Sequence, residues 1–210
     1  MSEVFVVGVG MTPFGRFHHK SVKDLTREVV NTAMADAGCT KDAIGAAYFA
    51  NTTQRVLEGQ YLVPAQMALR EMGFEGIPIS NVENACASAS TAFQHAFTAI
   101  KAGMTDVAIA IGAEKMYDED KARSFEIFDG AWDVHETAAT EQLLMQMGEG
   151  VEPPEGAELP NGQRSLFMDI YAAFAKYHMK TFGSTQRQLA AISAKNHAHS
   201  TLNPLSQYRQ

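Results

Sequence analysis

The most constraining feature of this chain is an alternation. Over the first 116 of its 210 residues, short apolar runs of strand length alternate with longer stretches patterned for helices. Residues 4–10 (Val-Phe-Val-Val-Gly-Val-Gly), 46–50 (Ala-Ala-Tyr-Phe-Ala), 77–83 (Ile-Pro-Ile-Ser-Asn-Val-Glu) and 107–111 (Val-Ala-Ile-Ala-Ile) read as strands. Between the first two, Ser21 and Asp24 open a helix in the manner of a capping box. Leu25, Val29, Ala33 and Ala37 then recur at helical spacing, and Gly38 falls where a left-handed C′ residue belongs. Pro64 suits the first position of a second helix, which Gly73 closes. Residues 87–102 carry only Lys101 as a charge, and a helix apolar nearly all round is expected to be buried. The order β-α-β-α-β-α-β argues for an α/β layered core. Pro78 sets 77–83 at a sheet edge or at the start of its strand. Such an edge needs covering, so a homodimer or higher oligomer is expected.

The character changes after Met116. Residues 117–164 are polar, acidic and broken, with Glu-Pro-Pro-Glu-Gly at 152–156. A long irregular segment of this kind reads as a lid, the most mobile part of the chain, which a protease should enter first around 149–163. Helical patterning returns near 165–182 and again near 186–199, the second opened by a capping box of Thr185 and Gln188. There is no internal repeat and no low-complexity stretch.

Charge removes one class of function. The net charge is -7 and the pI near 5.5, without a Lys/Arg cluster, which argues against a nucleic-acid binder. The start, Met-Ser-Glu-Val-Phe-Val-Val-Gly, has no basic region ahead of an apolar signal core, and no apolar run approaches the ~20 residues needed to span a bilayer. A cytoplasmic location is therefore expected. Two cysteines supply no disulfide framework and no metal-ligand spacing, so no metal is expected.

Three motifs invite chemistry. Gly8-Val9-Gly10 after an apolar run hints at a dinucleotide fingerprint, but the third glycine should fall at Pro13, so a glycine turn is the better reading. Cys86 lies in Asn84-Ala85-Cys86-Ala87-Ser88-Ala89-Ser90, between the strand 77–83 and the helix 87–102. A sulfur at a helix N-terminus meets unpaired N–H groups and the positive end of the dipole, which favour a thiolate, and the small neighbours leave room for a substrate. From this pattern alone, a nucleophile and a buried structural cysteine both remain open. Cys39 follows a helix C-terminus, where a thiolate is disfavoured, and reads as inert. None of His18, His19, His95, His135, His178, His197 and His199 sits in an acid–base motif; His197 and His199 read as surface or loop-packing residues rather than metal ligands.

Four segments together resemble one family. Phe5-Val6-Val7-Gly8-Val9-Gly10-Met11-Thr12-Pro13-Phe14 resembles the opening of thiolases of the sterol-carrier-protein or lipid-transfer-protein type. Val82-Glu83-Asn84-Ala85-Cys86-Ala87-Ser88 resembles their nucleophile motif, and Ile109-Ala110-Ile111-Gly112-Ala113-Glu114-Lys115-Met116 the strand and turn that follow. Lys195-Asn196-His197-Ala198-His199-Ser200 with Asn203-Pro204-Leu205-Ser206-Gln207 resembles the stretch after the loop domain.

The resemblance implies one half of a layered αβαβα fold with an inserted loop domain. It divides the chain into a core at 1–116, a loop or lid domain at 117–190, and at 191–210 the start of a connection to a C-terminal half. It also implies an acyl-CoA thiolase, with coenzyme A or acyl-CoA as substrate and no permanently bound cofactor. A sterol side chain or fatty acyl group is the expected cargo. Cys86 would carry the acyl group, and its backbone N–H would help hold the thioester oxyanion. The family's acid–base histidine motifs belong to the C-terminal half and are not found in this sequence, so activity is expected only with that half supplied. A thiolase-like retro-aldolase working with an OB-fold partner, and a non-catalytic half-thiolase subunit, are the alternatives.

Overall fold

The computed structural model describes residues 3–151 and 166–209, with backbone alone at 166 and 167. The chain divides into two compact units, 1–131 and 132–210.

The first unit is built on a parallel sheet of three strands: β1 (Ala46–Ala50), β2 (Ile79–Val82) and β3 (Ala108–Gly112), in the order β2-β1-β3. Ala47 pairs with Ile79 on one side and Ile109 on the other, and Phe49 with Asn81 and Ile111. Helices α1 (Val22–Ala37), α2 (Gln54–Leu57), α3 (Pro64–Arg70), α4 (Ser88–Lys101) and α5 (Lys121–Glu126) surround it. The alternation of side chains along β1 decides the layers. Ala47 and Phe49 face one way, into a cluster with Val22 and Val30 of α1, Ala65, Ala68 and Leu69 of α3, and Ile111 of β3. Ala50 faces the other way, with Val82 and Ala92 of α4, and Tyr48 and Ala110 pack around them. The first face is filled by branched and aromatic side chains and the second mostly by alanines. A Cβ added at Gly112 would lie 3.3 Å from the Cβ of Ala89, so α4 rides close on the sheet.

The local signals act as expected. Ser21 and Asp24 form both halves of a capping box, and Gly38 ends α1 at φ 63°. Pro64 starts α3. β2 is an edge strand, and the carbonyl of Pro78 accepts the N–H of Ala47 just ahead of it.

Three expectations need correction. Residues 4–10 form no strand. They lie against α1 instead, where a Cβ on Gly8 would sit 2.5 Å from the carbonyl oxygen of Ala33 and one on Gly10 2.4 Å from that of Val29. The glycines serve close backbone approach to a helix, not a nucleotide. Val6 and Val7 stay 65% exposed, and the segment and the outer edge of β3 line an apolar groove of about 520 Å³. Second, α4 is not buried all round. It turns Ser88, Ala92, Ala96 and Ala99 inward, while Phe93 and Phe97 are 54% and 43% exposed and also line that groove. Composition could not reveal which apolar face the sheet takes; the small one fits the close approach. Third, the stretch after Met116 is not all irregular. It holds α5, capped by Asp120, whose side chain accepts the N–H of Ala122, and it also holds α6 (Thr137–Gly148). Most of the expected cleavage region 149–163 lies outside the described residues.

The second unit is helical among its described residues: α6, α7 (Leu166–Phe182) and α8 (Gln186–Ser200). α8 opens with the capping box of Thr185 and Gln188. His197 and His199 are exposed on α8, and His197 stacks on Tyr208. Among the described residues no helix is long and apolar enough to cross a membrane, and no group of His, Cys, Asp and Glu could hold a metal ion.

Candidate active site at the strand ends

In a parallel sheet the loops at the carboxyl ends of the strands gather on one side, where α/β proteins place their ligands. Here those loops are 51–53 after β1, 83–87 after β2 and 113–115 after β3. The second carries Cys86 in a 3-10 turn, Ala85–Ala87, directly ahead of α4. The thiol is free and exposed, which sets aside the buried structural cysteine. Cys39 is half-buried beyond α1, where its N–H closes on the carbonyl of Met34 at 3.0 Å.

The turn that presents Cys86 is strained and tied. Ala85 has φ 45°, in the left-handed region that disfavours residues with a Cβ. Its N–H donates to Oε1 of Glu83 at 2.7 Å, and its carbonyl accepts the hydroxyl of Ser88 at 2.7 Å. The same Ser88 oxygen accepts the N–H of Asn84 at 2.8 Å, so one buried hydroxyl closes the turn from both sides. The Asn84 amide donates to Thr91, whose hydroxyl in turn donates to the carbonyl of Ala87.

The neighbouring loops lock onto this turn. Thr52 Oγ1 stands 3.4 Å from the carbonyl oxygen of Ala85 and 3.2 Å from Ser88 Oγ. Glu114 takes the backbone N–H of Thr52 at 2.6 Å on one carboxylate oxygen and that of Thr53 at 3.1 Å on the other. The Asn51 amide donates to the carbonyl of Ala113 at 2.6 Å, and the Thr53 hydroxyl to that of Lys115 at 2.7 Å. Glu114 is exposed as a residue, yet desolvation raises the pKa of its carboxyl more than the hydrogen bonds from the Thr52 N–H and from the Thr53 side chain and N–H lower it. Glu83, a second carboxylate nearby, pushes the same way. The ring partners of His18 and His95 are Tyr117 and Tyr48, and Nδ1 of His178 meets Ser184.

Sequence reasoning named Cys86 and missed what surrounds it. Glu83 and Glu114 lay inside the family-like motifs without a role, and Ser88 figured there only as a small neighbour that leaves room for a substrate. The polar run Asn51-Thr52-Thr53-Gln54 right after a strand was the available signal for the third loop.

The parallel sheet, covered by helices on both faces, thus presents an exposed thiol on a strained turn at its strand ends. The profile of the thiolase N-terminal domain matches residues 4–210, and the chain belongs to that family. It is 32% identical to sterol carrier protein 2 of Gallus gallus over 209 residues, which are 99% of this chain and 34% of that protein. It is 29% identical to an acetyl-CoA acetyltransferase of Methanothermobacter thermautotrophicus, covering 99% of this chain and 48% of that one. Among solved structures, an Ltp2-ChsH2(DUF35) aldolase superposes with a TM-score of 0.60 at 20% identity, over 96% of this chain and 44% of the other. The chain thus spans about a third to a half of the length of these relatives.

Proposed function

We propose that this chain is the nucleophile-bearing part of an acyl-CoA thiolase and that Cys86 carries the acyl group. What carries the reading is an exposed thiol on a left-handed turn at the strand ends, next to the N-terminus of α4. Membership of the thiolase family and the likeness to an acetyl-CoA acetyltransferase support it. In the proposed thiolysis the Cys86 sulfur bonds to the keto carbon of a 3-ketoacyl-CoA. The bond between the keto and α carbons then breaks, and its electron pair takes a proton to leave acetyl-CoA. The thiol of free coenzyme A next displaces the acyl group and restores Cys86. In the condensing direction Cys86 takes an acetyl group from acetyl-CoA instead. The backbone N–H of Cys86 helps hold the oxyanion. The proton-moving groups come from a C-terminal half, in the same polypeptide or a companion one. Residues 117–190 serve as the loop domain over the acyl-CoA, the assembly is a homodimer or larger, and it works in the cytoplasm on fatty acyl or sterol side-chain thioesters.

The test is transfer of label from radioactive acetyl-CoA to the native protein, with peptide mapping. Label on the Cys86 peptide, lost in Cys86→Ala, is expected; label elsewhere or none overturns the reading. The likeness to the aldolase favours a second reading, a retro-aldolase with a DUF35-type partner. That chemistry leaves Cys86 unacylated, and activity would persist in Cys86→Ala. A non-catalytic subunit would take up no label at all.

A further inference from the structure

We propose that Glu114 is a positioning residue for Cys86, acting through the loop 51–53. The proposal rests on the reading of Cys86 as the acyl carrier. A non-glycine residue at positive φ keeps that conformation only where its surroundings fix it. At Ala85 the surroundings are Glu83, Ser88 and Thr52. Glu83 and Ser88 belong to the same local turn. Thr52 comes from a different strand end, and so it ties the turn to the rest of the sheet's carboxyl edge.

Thr52 reaches Ala85 only if its own backbone is set, and Glu114 sets it. One carboxylate spans two successive amides, with Oε1 on Thr52 and Oε2 on Thr53. A glutamine could offer one acceptor oxygen where the carboxylate offers two. The other pins between these loops, Asn51 to Ala113 and Thr53 to Lys115, do not involve Glu114. Removing the charge should therefore leave the loops joined but let the Thr52 amide drift. The drift passes through Thr52 Oγ1 to the Ala85 carbonyl, and that same planar peptide unit carries the N–H of Cys86. Glu114 touches no reacting atom in this scheme; it fixes where the Cys86 amide points.

Two reactions of Cys86 separate positioning from folding. Alkylation by iodoacetamide needs an accessible thiol, whereas acylation by acetyl-CoA also needs the amide aimed at the oxyanion. In the native protein, Glu114→Gln should slow acylation of Cys86 roughly 10-fold, less than outright loss of an oxyanion donor would. Its alkylation should stay at the parental rate. Thr52→Val, which deletes the hydroxyl but keeps the shape, should reproduce that split. Labelling of Cys39 reports unfolding in either variant. Should Glu114→Gln fail to fold, Thr52→Val decides. Parental acylation in a folded Glu114→Gln or in Thr52→Val overturns the proposal, as does an equal loss of acylation and alkylation. A parent that acylates nowhere overturns the reading of Cys86, and this inference falls with it.

Discussion

The turns at Cys39 and Cys86 make a useful pair. Each is a cysteine next to a left-handed residue at a helix end, yet they are built in opposite ways. At the first, Gly38 takes φ 63° without a Cβ to object, and its N–H and that of Cys39 return to Ala35 and Met34. Everything that makes this turn lies within five residues, and its strain is small. At the second, Ala85 takes φ 45° with a Cβ in place, and one of the side chains that hold it, Thr52, lies 33 positions away. Among the described residues only Val63 shares that kind of backbone. Of the two cysteine turns, then, the one that ends a helix is relaxed and the one that presents the exposed thiol is strained.

The widest gap between the two turns should appear in thiol chemistry. Cys86 should react with iodoacetamide roughly 10-fold or more faster than Cys39, because it is exposed and heads a helix while the other is half-buried at a helix end. Peptide mapping of the folded protein measures this, and preferential labelling of Cys39 would break the comparison. Next in size is Ser88→Ala. The buried hydroxyl satisfies Asn84 and Ala85 together, so its loss should cost about 1–3 kcal/mol in urea unfolding. A smaller and more pointed pair is Gly38→Ala against Ala85→Gly. Nothing within 4 Å would touch a Cβ at Gly38, so that change should cost about 1 kcal/mol through backbone conformation alone. Ala85→Gly should cost less than about 0.5 kcal/mol or stabilise, since it relieves the backbone that Gly38→Ala strains. Equal losses from both would mean the two turns are equivalent after all.

The smallest effect concerns the other end of α1. The Ser21 hydroxyl first, then the Ser21 backbone and Arg27, lower the pKa of Asp24 from 3.8 to about 2. Because the folded value is the lower one, the ionised cap favours the folded state above the unfolded value. That benefit fades as pH falls from 3.8 through 2. In Asp24→Asn the acid side of the stability profile should be slightly flatter, while the Cys86 turn is unaffected. An unchanged profile would remove Asp24 as a contributor.

The same contrast marks how far the sequence could be read. The strands at 46–50 and 107–111, the helices α1, α3, α4, α7 and α8, and Cys86 at a strand–helix junction were legible because each depends on neighbours a few positions off. The capping boxes at Ser21 and Thr185 and the C′ role of Gly38 are of this kind. Residues 4–10 misled because a run of valines has the same pattern whether it joins a ladder or lies on a helix. What separates the two is the contact of Gly8 and Gly10 with the backbone at Ala33 and Val29.

By itself, then, the sequence determined the alternation of strands and helices from 22 to 112, several helix ends and the strand–helix junction that holds Cys86, all set by interactions that close within one or two turns of chain. Only the tertiary structure decided the strand order β2-β1-β3, and with it which loops would meet. That order brings Glu114 to Thr52 across 62 positions and Thr52 to Ala85 across 33. It also decided that α4 would turn its alanines to the sheet and leave Phe93 and Phe97 outside. The physical reason is that a strand's partner is chosen by side-chain fit and by ladder bonds between distant segments. No local pattern carries that information.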